Sequence, residues 1–321
     1  MEMFRRMLGK TNEVAQDDDI SPSVQPTPDK TEVEDKVAIE STPDPLLLSL
    51  EGATQKISPD EIITDSNNHL TFGQVTDVGM VRNNNQDAAA SFFFTNRSVT
   101  ETPDFGFFVV ADGMGGHLHG EKASAIAVKV VTTEVLNRIY LPLVTGDHND
   151  DLPPFTETLV EAVQKANNEV IKQVTDGGTT TTVVITVGSL AYIAHVGDSR
   201  AYLITEGNIE QITRDHSLVQ RLIELDQLTP EEAEDHPKKN ILYRALGQNE
   251  TLEVDISTQR LASNSSILIC SDGLWGLVQD KAMLDIIVAN PEPQEACSKL
   301  VAQANANGGI DNITAVILNV N

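Results

Sequence analysis

Cysteine is nearly absent: Cys270, in an apolar run, and Cys297, in a helix-like run, are the two in 321 residues. Two isolated thiols make neither a disulfide framework nor a metal-ligand spacing, so they read as buried free thiols in a reducing compartment. Long hydrophobic runs are missing too. The longest are far too short to span a bilayer, and Met1–Lys10 has no apolar stretch of signal-peptide length, which makes the cytoplasm the expected location. Aromatics are scarce at 4% against 40% hydrophobic overall, so the core must be built from Val, Ile, Leu and Ala. Positive charge is also short: 22 Lys and Arg face 48 Asp and Glu, a formal net charge of −26. A nucleic-acid backbone or an anionic membrane would meet repulsion over most of such a surface, leaving divalent cations and locally basic protein segments as the expected partners. Acidity alone also serves solubility, so only the placement of particular carboxylates can decide between these readings.

Residues 1–68 read as a disordered, acidic N-terminal extension. From Thr11 to about Asp65 the chain is rich in Asp, Glu, Pro, Ser and Thr, with no sustained apolar period to offset its ordering entropy. Its first ten residues set Met3, Phe4, Met7 and Leu8 beside Arg5, Arg6 and Lys10, which reads either as a docking pattern or as a frayed terminus. Order is expected over 69–321. Short β-branched or alternating runs predict strands at Phe107–Ala111, Thr182–Val187, Ala191–Val196, Ala201–Ile204, Ile267–Cys270 and Ile313–Val320. Three- and four-residue apolar spacing predicts helices over Glu121–Ile139, Phe155–Val174, Asp280–Val288 and Gln294–Asn305. Only Gly188, Ser189 and Leu190 separate two of the strands, too few for a parallel crossover, so they form a hairpin. The fold class is therefore α+β rather than a doubly wound nucleotide-binding fold.

Four segments set an Asp at the end of an apolar strand or in a Gly-rich turn: NNNQDA at Asp87, VVADGMGGH at Asp112, LICSDGL at Asp272 and GGIDNIT at Asp311. One Asp-Gly alone is most often just a turn. Four carboxylates converging on one rim would repel one another unless a cation held them, and an all-oxygen donor set suits Mg²⁺ or Mn²⁺. Nothing resembles the His or thiolate ligation of zinc. The glycines after Asp112 let backbone approach an ion closely, so the Gly113 carbonyl is a further candidate ligand.

These segments belong to a longer ordered series: TDVGMVRNNNQD (Thr76–Asp87), VVADGMGGHLHGEKAS (Val109–Ser124), GTTTTVV (Gly178–Val184), AHVGDSRAYL (Ala194–Leu203), RDHSLVQ (Arg214–Gln220), HPKKNILYRALG (His236–Gly247), CSDGLW (Cys270–Trp275) and GGIDNIT (Gly308–Thr314). On these motifs the chain from about Leu70 onward resembles the bacterial type 2C, metal-dependent serine/threonine protein phosphatases of the PPM family. The resemblance implies a four-layer α-β-β-α sandwich with two central antiparallel sheets and a metal centre at one end. It implies two core Mn²⁺ or Mg²⁺ ions, with Asp112 bridging both, the Gly113 carbonyl on one, Asp272 and Asp311 completing the other, and Asp87 binding directly or through water. Asn312 would orient Asp311. Two metals sharing a water lower its pKa, and the resulting hydroxide would attack the phosphoryl group with no phosphoenzyme intermediate. Arg82, five residues before Asp87 as in the family, would grip the phosphate.

Three assignments stay double. His117 reads as the proton donor to the leaving alkoxide or as a structural cap, because relatives from eukaryotes place their His where this chain has Met114. Asp198, in the GDSR segment, matches a family position for a weaker third metal, and reads equally as part of a turn between strands. Its family partner four residues after Asp272 is here Gly276. The charged segment of about 214–247 matches a mobile flap that would contact the phosphoprotein, and reads otherwise as a helical hairpin. His119, His216 and His236 are expected at the surface or in hydrogen bonds. The expected partners are phosphorylated proteins, targets of a Ser/Thr kinase, met by a monomer. The competing functions are a pseudophosphatase that binds phosphoprotein without turnover, which loss of a core ligand would signal, and a two-metal nuclease, which the acidic charge disfavours.

Overall fold

The computed structural model describes residues 70–95, 103–116, 118–146, 153–234 and 236–320. The extension 1–68 and His117 lie outside the described residues. In chain order the strands are β1 (Leu70–Asp77), β2 (Asp87–Phe94), β3 (Phe105–Gly115), β4 (Gly177–Thr179), β5 (Thr181–Val187), β6 (Leu190–Val196), β7 (Arg200–Thr205), β8 (Asn208–Gln211), β9 (Asp255–Arg260), β10 (Ser265–Cys270) and β11 (Ile313–Val320). The helices are α1 (Leu118–Val135), which runs through a π turn at Leu136–Tyr140 into α2 (Leu141–Thr145), then α3 (Phe155–Gln173), α4 (Leu218–Glu224), α5 (Pro230–Glu234), α6 (Asp272–Trp275), α7 (Asp280–Ala289) and α8 (Pro293–Ala306).

Period-two alternation builds the layers. Along β3, Phe105, Phe107, Val109 and Ala111 face α1 and α3, joining Ala127, Val131, Leu159 and Val163. The intervening Phe108 and Val110 point the other way, into a layer shared with Ile193, Ile267, Ile269, Val316 and Leu318. On the far sheet, Leu268, Cys270, Ile313, Ala315 and Ile317 turn outward onto Met283, Ile287, Cys297 and Leu300 of α7 and α8. The result is helices, sheet, sheet, helices, with three apolar seams. One sheet runs β1-β11-β10-β7-β8 and the other β2-β3-β5-β6-β9 with β4 added beside β3, and every pairing is antiparallel. The hairpin expected across Gly188 is β5–β6.

The expected strands and helices all form, with two instructive differences. The Gly-rich stretch after Asp112 is strand rather than turn: β3 continues through Gly115 because β4 pairs with it, Gly113 opposite Thr179 and Gly115 opposite Gly177. Strands β1, β2, β4, β8 and β9 escaped the sequence pattern, since β2 (DAAASFFF) does not alternate, β4 is three residues long and β8 and β9 are largely polar. Both cysteines are buried and unpaired, as expected, and no described helix is long and apolar enough to cross a membrane.

Candidate metal centre

Strand register brings the acidic segments to one end of the sandwich. Asp87, the first residue of β2, lies opposite Asp112 of β3. In the other sheet, Cys270 at the end of β10 lies between Ala315 of β11 and Arg200 of β7. Asp272, Asp311 and Asp198 follow or precede these positions by a few residues, so five carboxylates emerge at the same rim. Arg82 joins them from the β1–β2 loop, its Nη2 donating to Asp311 Oδ2 at 2.6 Å.

Polar groups hold Asp87 by its carboxylate, Asp112 by its backbone and Asp311 by its neighbour's N–H. Asp87 Oδ2 accepts hydroxyl hydrogens from Ser271 and Thr314, both at 2.7 Å. Asp112 has its own N–H on Thr180 Oγ1 at 2.9 Å, and Thr180 is 2.7 Å from Ser199 Oγ, next to Asp198. Asp311 Oδ1 accepts the Asn312 N–H at 2.8 Å. The Asn312 side chain does something other than orient Asp311. Its Nδ2 donates to the carbonyls of Val78 and Asn84 (3.0 and 2.9 Å) and its Oδ1 accepts from Gln86 N–H (2.8 Å), which staples the Arg82 loop to the start of β11.

The electrostatics are those of anions gathered without enough cation. Burial, opposed by the Ser271 and Thr314 hydrogen bonds and reinforced by Asp272 and Asp311, pushes Asp87 up to about 7. Burial and then Asp311 push Asp272 up to about 6, against a hydrogen bond with Asp112. Asp112 is raised well above the usual carboxylate range, by burial first and then by Asp87, Asp272, Asp198 and Asp311. Asp198 is raised likewise, by burial and then by Asp272 and Asp215.

The residues suit a divalent metal on three counts. Oδ1 of Asp87 and Oδ1 of Asp272 are buried with no hydrogen-bond partner, a costly arrangement unless something cationic or a bound water meets them. The donors are all oxygens, the set that Mg²⁺ and Mn²⁺ prefer. At Gly113 the backbone is packed so closely that a Cβ would lie 2.2 Å from the Gly120 carbonyl oxygen and 2.6 Å from that of Gln86, so only glycine admits this approach of β3 to the start of α1. Among the described residues, no three His, Cys, Asp or Glu side chains close up around a single point.

Arg82, Asp87, Asp112, Gly113, Asp198, Asp272 and Asp311 thus converge, while His117 is not among the described residues. His216, expected at the surface or in hydrogen bonds, is a buried hydrogen-bonding residue. The supporting hydroxyls of Thr180, Ser271 and Thr314 are not distinguished by the sequence pattern: Thr180 lies in the run Thr179–Thr182, while Ser271 and Thr314 stand singly beside a candidate ligand or at a strand start.

A family model described as protein phosphatase 2C matches residues 81–303. The serine/threonine phosphatase stp of Listeria welshimeri is 34% identical over 253 residues, covering 77% of this chain and 94% of that protein. The protein phosphatase PhpP of Streptococcus pneumoniae is 36% identical over 253 residues, covering 78% and 98%. Among solved structures, the catalytic domain of the serine/threonine protein phosphatase PstP in complex with two manganese ions superposes with a TM-score of 0.63 at 30% identity, covering 78% of this chain and 98% of that one. With a family model spanning most of the chain and relatives at 34% and 36% identity that it covers almost end to end, the chain belongs to the protein phosphatase 2C family.

Proposed function

We propose that this protein phosphatase hydrolyses phosphoserine and phosphothreonine in proteins at the carboxylate rim, without a phosphoenzyme intermediate. The observation that carries the proposal is the union of Asp87, Asp112, Asp198, Asp272 and Asp311 at one rim, with buried unpartnered oxygens on Asp87 and Asp272. Asp112 would bridge two Mn²⁺ or Mg²⁺ ions, the Gly113 carbonyl would serve one, and Asp272 and Asp311 would serve the other. Asp87 would add its free oxygen directly or through water, its second oxygen being held by Ser271 and Thr314. Asp198 would serve a weaker third ion. Bound there, the ion pair supplies a water of lowered pKa as nucleophile.

The remaining work falls to protein groups. Arg82 presents the guanidinium that meets the phosphoryl oxygens. It now holds Asp311, and a carboxylate retains enough lone pairs to keep Arg82 and a cation together. Its loop is fixed by Asn312, which places the guanidinium at little entropic cost. His117 is the candidate proton donor to the leaving alkoxide. Residues 69–321 form the catalytic domain, and the segment 214–247, built here from α4 and α5, faces the phosphoprotein. The substrates are proteins phosphorylated by a Ser/Thr kinase and the enzyme acts as a monomer.

The test is hydrolysis of an aryl phosphate and of a phosphothreonine peptide with Mn²⁺, Mg²⁺ or EDTA. Turnover that needs the metal and is abolished by EDTA on both substrates is the expected result. A folded, metal-loaded protein that turns over neither would be a phosphoprotein-binding module instead.

A further inference from the structure

The turn that carries Asp198 is gripped from both sides by adjacent residues of one distant segment. On its N-terminal side, the Gly197 N–H donates to His216 Nδ1 at 3.0 Å and the Gly197 carbonyl accepts the His216 N–H at 2.7 Å. The same carbonyl lies 3.1 Å from His195 Nε2, which also reaches the Arg214 carbonyl at 3.0 Å. A backbone N–H can only donate, so His216 Nδ1 bears no hydrogen; its Nε2 lies 3.1 Å from both Asp255 Oδ2 and Arg244 Nη1. Carbonyls only accept, so His195 carries a hydrogen on Nε2, while the Thr182 hydroxyl lies 3.0 Å from its Nδ1 and 3.2 Å from the Ser199 carbonyl oxygen.

On the C-terminal side the Asp198 carbonyl accepts the Trp275 indole N–H at 3.0 Å. The Arg200 guanidinium lies 3.6 Å from the centroid of that indole ring, and forks onto Asp215 through Nε at 3.1 Å and Nη2 at 2.8 Å. Asp215 and His216 are consecutive. Gly197 itself has φ +115° and no room for a Cβ, which would stand 2.5 Å from Thr180 Cβ, so this close packing of the turn against Thr180 requires glycine.

We propose that Asp215 and His216 form a positioning clamp, which sets the Asp198 carboxylate for a weakly held third divalent ion and makes the base of the 214–247 segment and that ion site one mechanical unit. The proposal rests on the reading of Asp198 given above. It concerns geometry: neither ring needs to change its proton.

Mn²⁺ binding to the full chain, counted from the EPR signal of free Mn²⁺, tests it without reference to turnover. His216→Phe keeps the ring's bulk but removes the acceptor for Gly197, while His216→Asn restores an acceptor near the same place. The expected result is that His216→Phe loosens the weakest class of Mn²⁺ site by about tenfold or more, that His216→Asn recovers most of it, and that His216→Phe changes nothing further once Asp198→Ala has removed that class. Arg200→Lys, which loses the fork and the flat stacking on Trp275, should loosen the same class from the other side and stands in if His216→Phe does not fold. A weak class lost in Asp198→Ala but untouched by the His216 and Arg200 variants overturns the clamp alone. Loosening of all classes equally, with or without Asp198, also overturns it, as mere damage to the fold. A wild type with no weak class, or an Asp198→Ala chain that binds as the wild type does, overturns the reading of Asp198 together with the clamp.

Discussion

The middle of the sandwich and its acidic rim are made by the same strands and obey opposite economies. Between the sheets, Phe108, Val110, Ile193, Ile267, Ile269, Val316 and Leu318 are buried side chains with no polar atoms, so burial stabilises the layer outright. A few residues along, β3 delivers Asp112 and β10 leads into Asp272, both half-buried and both pushed toward protonation, Asp112 by desolvation and its neighbouring carboxylates and Asp272 by desolvation and Asp311. The strand register that makes the core thus also presses carboxylates together, and the core's stability holds them there. A rim so built is complete only with a cation, whereas the middle needs nothing further.

The largest effect should come from removing a rim ligand. Asp272→Ala should lower Mn²⁺-dependent turnover of a phosphothreonine peptide by about 10³-fold or more, read in a steady-state assay, while leaving the protein folded. A variant that keeps a tenth of the activity would break the contrast by making this carboxylate ordinary. The mirror-image change is Phe108→Ala in the middle, expected to cost about 3–5 kcal/mol by denaturant unfolding with Mn²⁺ affinity of the folded protein unchanged. If that substitution also weakened Mn²⁺ binding, the two regions would be one coupled unit.

Acid–base behaviour should separate them next. Asp87 at about 7 and Asp272 at about 6 hold protons in the folded chain that the unfolded chain has lost above its ordinary carboxylate range. The folded state therefore binds more protons than the unfolded state between roughly pH 4 and 7, so stability of the EDTA-treated protein should fall as pH rises through that window. Stabilisation by added Mn²⁺ should grow over the same window, as followed by thermal melting at a series of pH values. A flat or opposite trend would mean that the rim carboxylates do not titrate as a cluster. The smallest effect is expected at Thr314→Val, which removes one of the two hydroxyls on Asp87 Oδ2. It should weaken Mn²⁺ about tenfold by calorimetry and shift folding stability by about 1 kcal/mol.

The division between the regions also explains what could be seen in the primary structure. The α+β class was legible because several strands are short, β-branched and separated by turns, the four layers followed from the family resemblance of the motifs, and the acidic set was legible because Asp87, Asp112, Asp272 and Asp311 stand at abrupt ends of those runs or in Gly-rich turns. What supports the ligands was hidden. Thr180, Thr314 and Ser271 look like ordinary strand-end residues, and only the pairing of segments far apart in the chain turns their hydroxyls onto Asp112 and Asp87. Asn312 was singled out for its place beside Asp311, yet its side chain serves the Arg82 loop, a partner some 230 residues away that no local pattern discloses. His216 was legible as a hydrogen-bonding residue, but its grip on Gly197 depends on a fold-level encounter. The strand character of Gly113–Gly115 was concealed for a similar reason, since glycine there answers to the backbone of Gly120 and Gln86 rather than to a turn.

Thermal melting of the full chain and of Asp112→Asn, each with EDTA and with saturating Mn²⁺, tests most directly whether the rim is an anionic cluster completed by divalent cations. The account predicts that Mn²⁺ raises the wild-type melting temperature by about 5–10 °C. Asp112→Asn should melt above the wild type in EDTA, because the amide carries neither a desolvated charge nor the cost of holding a proton among neighbouring carboxylates, and should gain far less from Mn²⁺. A wild type indifferent to Mn²⁺, or an Asp112→Asn chain that melts below it in EDTA and responds to Mn²⁺ in full, would contradict the account.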